Sequence, residues 1–525
     1  MENWKTYTSR VFYDAQTGLM LDYSKIKLDD GYYSSAKDKI DDAIAHMAQV
    51  DQGIIANPDE NRMVGHYWLR APELAPTPEL QKEIRDTIDA VTAFAEKVHR
   101  GEIRGTKGRP FKYAVVAGIG GSSLGPVFVS DALRASGDKM KLFFIDNTDP
   151  DGMDQIFGAV EDCLDTVLSI VISKSGGTIE TRNGMEELYA LYKKHGLNFP
   201  EYAVCVSGKG SKLDKKAESE GWIARFPMWD WVGGRTSVLS AVGLLPLALQ
   251  GIDIQVLLKG AGDCDAMCRD ADWQKNPAAI MAASWYGRSH GKGGTSMIVL
   301  PYKDRLDLFA KYLQQLVMES LGKEYDLDGN RVCQGLAVFG NKGSSDQHSY
   351  VQQLVAGPGN IFVVFVQVLK DRQSASPTVG EESTSGDYLQ AFMLGTEKAL
   401  GAQDKGSMTV TVPDVSAYSV GQLIALFERS VGLYAKMINI NAYHQPAVEA
   451  GKKAAGELIA LKNRMLAFLG EHSGQWYTPE ELEAAMGEKD MVENMFKLLL
   501  HQAANVDSGV KMERAEPIWM SRFGK

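Results

Sequence analysis

The amino-acid sequence predicts an α/β protein with two doubly wound parallel-sheet domains and helical segments at both ends. Three observations indicate this fold. Apolar runs of strand length alternate with helix-compatible stretches, the alternation occurs in two separate blocks, and residues with helical spacing flank the blocks. The 525 residues fit about three domains, and a hydrophobic content of 44% is enough to fill large cores.

The N-terminal segment, residues 1–110, is predicted to be mainly helical and to pack on the core. Apolar residues recur three and four positions apart in Ala36–Val50 and Leu80–Val98, as in helices with one buried face. The dipeptide Asn57-Pro58 marks a turn between these two helices.

The first α/β block covers residues 111–290, where strands and helices alternate. Such a β–α–β rhythm produces a parallel sheet, because each helix carries the chain back to the starting edge. The helices include Pro126–Ala135 and Glu180–His195. The predicted strands are Tyr113–Ala117, Leu142–Ile145, Val167–Ile172 and Tyr202–Val206.

The second α/β block covers residues 291–455 and contains one long helical stretch, Leu306–Leu321. The polar segment Gln373–Asp387 is predicted to be a mobile loop. Residues 456–525 form the C-terminal segment, which is predicted to be helical to its end. The strands predicted for the second block are Thr295–Leu300, Gly335–Phe339, Ile361–Val368 and Met408–Val412.

Composition argues against several classes of partner and cofactor. The chain has 56 basic and 67 acidic residues, and a net charge of −11 disfavours binding to nucleic acid or to an anionic membrane. Without a secretory signal or a long apolar run, the protein is expected to be cytoplasmic. Five cysteines do not suggest a disulfide framework, and Cys264 and Cys268 have no second ligand pair nearby, so neither a metal nor a cofactor is expected.

Two turns rich in glycine and serine each follow a predicted strand and lead into a helix. The first glycine turn is Gly118–Pro126 (GIGGSSLGP) and the second glycine turn is Ser173–Thr181 (SKSGGTIET). Unpaired backbone N–H groups and the helix dipole favour an anion at such a position. Either turn alone could be purely structural, but two of them together indicate a phosphorylated small molecule as ligand.

Two further segments carry groups suited to acid–base chemistry. Arg235 follows Gly233-Gly234, where an open backbone lets a ligand approach, although a surface arginine at a helix cap is the alternative. Glu319 lies four residues after Gln315 on the predicted helix Asp307–Lys323, at the flank of its apolar stripe. A partly desolvated carboxylate there would suit a general base, but a solvated glutamate is the simpler interpretation.

The remaining candidate groups are a histidine and a lysine. His348 ends the polar loop Gly340–Tyr350, and its imidazole can pass protons near neutral pH. Gln445 and Lys452 are seven residues apart, which places them on one face if this stretch is helical. Taken alone, such a histidine is more often a loop residue without a catalytic role, and such a lysine is more often a solvated surface charge.

Taken together, these segments resemble the glucose-6-phosphate isomerase (phosphoglucose isomerase) family in order and spacing, from about residue 110 to 455. The second glycine turn is similar to the phosphate turn of sugar-isomerase (SIS) domains, which gives the two blocks their SIS-type assignment. The segments that carry the resemblance are GIGGSSLGP at Gly118–Pro126, Val232–Ser237, Gln315–Lys323, Asp346-Gln347-His348 and Tyr443–Lys452.

Some positions depart from the family pattern. Ser123 stands where aspartate is usual, Thr236 replaces an aromatic residue, and His444 and Pro446 replace the usual aspartate and tryptophan. The second glycine turn also reads closer to the generic sugar-isomerase version. These differences suggest a divergent, bacterial-type branch.

The resemblance implies that the chain interconverts glucose 6-phosphate and fructose 6-phosphate through a cis-enediolate, without a metal. It implies a homodimer, because the histidine matching His348 acts in the neighbouring subunit. It assigns Glu319 as base, His348 and Lys452 to ring opening, and Arg235 to stabilising the enediolate. The residues it implies for binding the phosphosugar are Gly121, Ser122, Ser173, Lys174, Ser175, Thr178, Gly234, Gln315 and Gln445.

Two alternative functions stay open from the sequence. A non-catalytic sugar-phosphate sensor would need the phosphate turns but has no use for the four catalytic residues at family spacing. An isomerase of another phosphosugar, such as mannose 6-phosphate, would differ only in the residues that line the sugar.

Overall fold

The computed structural model of the protein describes residues 2–380 and 382–525, and it leaves out the side chains of Glu2, Asn3, Glu449 and Ala450. Glu381, in the predicted loop Gln373–Asp387, therefore lies outside the described residues. The chain divides into two compact units, one ending at His444 and the other spanning Gln445–Lys525.

The first sheet lies in the first unit and has five parallel strands. In space, the second strand lies at one edge, followed by the first, third, fourth and fifth. Four strands match the prediction, but Ala224–Met228 was not predicted, because Arg225 and Pro227 interrupt its apolar run. The strands are Tyr113–Ala117, Lys141–Ile145, Val167–Ser173, Ala203–Gly208 and Ala224–Met228, and the helices between them are Leu124–Leu133, Pro150–Val160, Ile179–Lys194 and Lys212–Ser219.

The second sheet has four parallel strands in the same order, with the first strand between the second and the third. The sequence predicted these strands within about two residues. Two short strands of the N-terminal segment extend the sheet as an antiparallel hairpin, and three-residue strands carry too little periodicity to be predicted. The strands are Ser296–Pro301, Ala337–Phe339, Ile361–Val368 and Gly406–Val412, with Val11–Tyr13 and Met20–Asp22 from the hairpin.

Helices surround both sheets in the first unit, and two of them cross with their backbones in close approach. A Cβ atom at Gly260 would lie 2.0 Å from the carbonyl oxygen of Tyr418, and one at Gly421 would lie 2.1 Å from that of Leu257. Glycine is therefore required where Ile254–Met267 meets Ala417–Met437. The other helices of this unit are Glu2–Ser9, Tyr32–Ser35, Lys37–Asp51, Pro78–His99, Ala241–Gln250, Pro277–Ser289, Phe309–Leu313, Val351–Ala356 and Ser385–Ala402.

A buried cluster of charges joins the N-terminal segment to the same two helices. Asp265 accepts hydrogen bonds from Arg70 Nε and Arg429 Nε, each at 2.7 Å, and Arg70 also pairs with Glu428. Burial opposes ionisation of Asp265, but the guanidinium groups of Arg429 and Arg70 hold its pKa below the usual range. Because removing one partner would strand a buried charge, this cluster specifies how the segment packs.

The second unit has a hydrophobic core of its own, which includes Leu461, Leu499 and Phe523. Its helices are Ala447–Glu471, Pro479–Met486 and Val492–Ala504. The last residues form an antiparallel pair, Lys511–Glu513 with Arg522–Gly524, where the sequence predicted a helical end. Across the described part of the chain, no helix is long and apolar enough to cross a membrane.

Candidate active site

The candidate site lies at the carboxyl end of the first sheet, where several turns converge. The first glycine turn leaves the strand Tyr113–Ala117 and forms a short 3₁₀ helix, Gly120–Ser122. A Cβ atom at Gly121 would lie 1.9 Å from the carbonyl oxygen of Gly234. Glycine at position 121 therefore lets two backbones touch, which brings the arginine turn, Gly233–Ser237, against the first glycine turn.

The helix that carries Glu319, the glutamate helix, approaches the same place. It runs as an α-helix over Phe309–Leu313 and as a π-helix over Gln314–Glu319. Gly120 has a φ of +59°, and a Cβ atom there would lie 3.1 Å from Gln315 Nε2. The amide of Gln315 thus faces the first glycine turn. A π-helical turn is a common feature of functional sites.

Arg235 is held in the buried centre of this arrangement, with 5% of its surface exposed. Its Nη1 lies 3.1 Å from Glu319 Oε2, and its Nε donates to Ser320 Oγ at 2.8 Å. Its Nη2 donates to the carbonyl oxygens of Ala442 at 2.8 Å and His444 at 3.1 Å. These contacts fix the plane of the guanidinium and leave it little freedom to move.

Glu319 is the acidic partner in this pair and stays partly accessible, with 23% of its side chain exposed. Leu316, which belongs to the predicted apolar stripe, is buried, and so is Val317 beside it. Burial lowers the pKa of Arg235, while the neighbouring Glu319 carboxylate opposes this shift. A carboxylate reachable from solvent, beside a fixed cation, can exchange a proton with a bound ligand.

The second glycine turn offers hydroxyl groups and an open helix end. Ser173 Oγ donates to Thr178 Oγ1 at 3.4 Å, and Ser175 Oγ accepts from the Gly177 N–H at 3.1 Å. Thr178 is the N-cap of the helix Ile179–Lys194, yet its side chain makes no capping hydrogen bond. The first N–H groups of this helix are therefore not satisfied by the cap and can bind an anion.

The helix that follows the third strand of the second sheet contrasts with this arrangement. That helix, Ser385–Ala402, is closed by a capping box in which Thr384 and Asp387 bind each other's backbone N–H groups. Because its end already holds a carboxylate, the second sheet offers no equivalent anion site there.

Lys174 ties the second glycine turn to the segment before Arg235. Its Nζ donates to the carbonyl oxygens of Asp230 and Val232, each at 2.9 Å. Burial lowers the pKa of Lys174 to about 8. The ammonium thus fixes the distance between the second glycine turn and the arginine turn.

His348 is exposed, but the loop on its N-terminal side is firmly anchored. Asp346 is 3% exposed and accepts from the Asn341 N–H at 3.0 Å, and Gln347 Nε2 donates to Thr396 Oγ1 at 2.6 Å. The loop therefore presents the imidazole outward from a fixed backbone.

Gln445 and Lys452 belong to the second unit. Gln445 is its first residue, and Lys452 is exposed on the helix Ala447–Glu471. The side chain of Glu449, also part of the family signature, lies outside the described residues. The roles implied for Gln445 and Lys452 stay predictions.

Comparison with known proteins identifies the family of the chain. Residues 22–472 match the family described as phosphoglucose isomerase. The chain belongs to the phosphoglucose isomerase family. It is 54% identical over 521 residues to a glucose-6-phosphate isomerase of Desulfitobacterium hafniense strain Y51, and this match covers 99% of the chain and 98% of the relative. It is 55% identical to a glucose-6-phosphate isomerase of Geobacter sulfurreducens, with 99% of both chains covered.

Solved structures share the fold. A glucose-6-phosphate isomerase from Chlamydia trachomatis superposes with a TM-score of 0.78 at 24% identity, covering 87% of this chain and 91% of that one. A hypothetical protein from Thermus thermophilus has a TM-score of 0.71 at 26% identity, covering 84% of this chain and all of that one. The predicted α/β fold of sugar-isomerase type is confirmed.

Residues 57–62 form a further segment beside Arg235 that the sequence did not point to. Asn57 is 3% exposed and accepts from Asn441 Nδ2 at 2.9 Å, while Asp59 accepts from the same amide at 2.6 Å. The segment therefore anchors the stretch whose carbonyl groups hold Arg235. In the sequence it was interpreted only as a turn, because polar residues are ordinary in an exposed turn and the contact of Asn57 with Asn441 spans 384 positions.

Proposed function

We propose that the chain interconverts glucose 6-phosphate and fructose 6-phosphate. The observation that carries this function is the pair of Glu319 and Arg235, 3.1 Å apart and fixed beside two glycine-lined turns. The membership in the phosphoglucose isomerase family over most of the chain supports the same reaction.

The chemistry uses Glu319 as a base that moves one proton between two carbon atoms. In the open-chain aldose, the carboxylate removes the proton from carbon 2, and the electron pair forms the double bond of a cis-enediolate. Glu319 then returns the proton to carbon 1, and the hydroxyl proton on oxygen 2 moves to oxygen 1, which yields the ketose. Arg235 stabilises the negative charge that develops on the enediolate oxygens, because its guanidinium is already in place before the reaction begins.

The phosphate group is proposed to bind at the second glycine turn. Ser173, Ser175 and Thr178 offer hydroxyl donors, and the Lys174 backbone N–H lies between them in sequence. The uncapped helix end adds favourable electrostatics for a dianion. The sugar is proposed to be lined by Gly121, Ser122, Gly234, Gln315 and Gln445.

Ring opening is proposed to need His348 and Lys452. An imidazole can take a proton from one sugar oxygen, while an ammonium can support the ring oxygen. His348 is exposed on its own chain, so we propose that it acts in the site of a second copy within a homodimer. The cytoplasm stays the predicted location.

The decisive experiment is a coupled assay of the purified protein with fructose 6-phosphate and, separately, mannose 6-phosphate. Formation of glucose 6-phosphate from fructose 6-phosphate, without turnover of mannose 6-phosphate, supports the proposed substrate. Turnover of mannose 6-phosphate without formation of glucose 6-phosphate supports the alternative isomerase, and binding of either sugar without turnover supports a sensor.

The variant Glu319→Gln keeps the shape of the side chain but removes the basic oxygen. We expect kcat to fall by about 100-fold or more with KM little changed. Glu324→Gln is the matched control, because Glu324 is exposed and pairs only with Arg331 among its described salt bridges. Near-normal turnover in the Glu319→Gln variant would show that another group is the base.

A further inference from the structure

Lys323 is a buried ammonium group directly after the glutamate helix, and the reaction proposed above gives it no task. Only 6% of its surface is exposed. Lysine is rarely buried to this extent, because an ammonium taken out of water costs free energy unless hydrogen bonds compensate it. The burial of Lys323 therefore requires hydrogen bonds that offset this free-energy cost.

The ammonium binds the last turn of the glutamate helix. Lys323 Nζ donates to the carbonyl oxygen of Glu319 at 2.8 Å and to that of Ser320 at 2.7 Å. Carbonyl groups in the last turn of a helix have no later N–H group of that helix to bind. A cation at this end also interacts favourably with the helix dipole.

The same turn contacts Arg235 through a side chain. Ser320 Oγ accepts the hydrogen bond from Arg235 Nε at 2.8 Å, and Ser320 is 2% exposed. Lys323 thus binds the backbone of Glu319, the proposed base. It also binds the backbone of Ser320, whose side chain accepts a hydrogen bond from Arg235, the cationic partner of Glu319.

Ending the helix does not require this lysine. The helix already ends at Gly322, whose N–H donates to the carbonyl oxygen of Met318 at 2.8 Å. An apolar residue at position 323 would terminate the helix equally well and would avoid burying a charge. Compared with such an apolar residue, lysine adds the two hydrogen bonds that its Nζ donates.

We propose that Lys323 is a positioning residue for the pair of Glu319 and Arg235. By binding the two carbonyl groups, its ammonium fixes where the Glu319 carboxylate meets the substrate and where Ser320 meets the guanidinium. An effect of Lys323 on kcat rests on the proposed isomerase function, whereas the contacts of Lys323 do not.

The charges around Lys323 are consistent with a side chain whose role is to donate hydrogen bonds. Burial, together with the nearby guanidinium of Arg235, lowers its pKa to about 7 against the opposing effects of Glu319 and Asp59. Among the described residues, His444 also faces Lys323. A neutral amine still has two N–H groups, so the two carbonyl groups can remain bound in either protonation state.

The kinetic test compares Lys323→Met with Lys323→Arg. Methionine keeps a long side chain but loses both donors, so we expect kcat to fall by roughly 30-fold while KM changes less than about threefold, because small displacements of a base cost much rate. Arginine keeps donors, and we expect it to restore part of kcat. Lys311→Met on the exposed face of the same helix is the control and should leave both constants unchanged.

A second measurement does not depend on activity. Amide hydrogen exchange at residues 320–322 should be faster in Lys323→Met than in the unaltered protein and in Lys311→Met, because the last turn loses its anchor. Unchanged exchange together with unchanged kcat would overturn the proposal. An unaltered protein that does not isomerise fructose 6-phosphate would refute the proposed function instead, and exchange would still decide the role of Lys323.

Discussion

At the scale of single residues, the contact between Gly121 and Gly234 fixes the distance between the first glycine turn and Arg235. Backbone atoms on both sides form this contact, so neither side can yield by changing a rotamer. The position of the guanidinium therefore depends on the absence of a side chain at residue 121.

We predict that Gly121→Ala lowers kcat/KM by about 100-fold and destabilises the protein by about 1–3 kcal/mol, because its methyl group would overlap the Gly234 carbonyl. Gly158→Ala is the control. Gly158 is exposed on the helix Pro150–Val160 with open space around it, so alanine there should stabilise the protein by about 0.5–1 kcal/mol and leave activity unchanged. Thermal unfolding and the coupled assay measure both effects, and a fully active Gly121→Ala enzyme would contradict the argument.

The sequence identified some of the residues that build the site and did not identify others. Arg235 and Glu319 were placed together by family spacing, and the structure shows them in contact. Asn57 was not recognised, because its partner Asn441 lies 384 positions away and spacing along one helix or strand contains no information on such a contact. Lys323 was not recognised although it binds carbonyl groups only three and four positions earlier, because the sequence does not show that this lysine is buried.

At the scale of elements, the second glycine turn combines hydroxyl groups with an open helix end. Its geometry depends on Gly176, whose φ of +66° a residue with a side chain rarely adopts, and on Gly177, whose N–H is held by Ser175. The positive φ at Gly176 therefore sets the backbone path without any hydroxyl group, whereas the Ser175 hydroxyl also helps to hold Gly177.

We predict that replacing Ser175 and Thr178 together by alanine weakens binding of 6-phosphosugars, since each lost donor to a dianion is worth about 1.5–3 kcal/mol. KM should rise at least tenfold, and inorganic phosphate should compete less well. Ser219→Ala, at an exposed helix end, is the control. If inorganic phosphate competes as strongly against the double variant as against the unaltered protein, the anion site lies elsewhere.

Strand prediction succeeded where apolar runs were long and failed where they were short or broken. Val167–Ser173 is buried throughout, and its seven residues were nearly all predicted. The hairpin Val11–Tyr13 with Met20–Asp22 is held in the second sheet by pairing with Gly406–Val412, a partner far away in the sequence. Such pairing is a property of the folded chain and has no local signature.

At the scale of the whole molecule, an exposed His348 on an anchored loop predicts that two chains share each site. Mixing Glu319→Gln and His348→Ala proteins should therefore restore activity to about a quarter of the unaltered level. Half of randomly formed dimers are mixed, and each mixed dimer has one intact site of two. The coupled assay after subunit exchange measures this recovery, and each variant incubated alone is the control. Exchange without recovery would place His348 in the site of its own chain or outside the reaction.

The two sheets repeat one strand order, yet only the first has an uncapped helix after its third strand. In the second sheet, Asp387 already supplies the negative charge that such a helix end attracts. The repetition of the fold therefore does not double the binding capacity. We expect one phosphosugar for each chain, with the elements around the second sheet presenting Glu319 and His348 instead of a second phosphate turn.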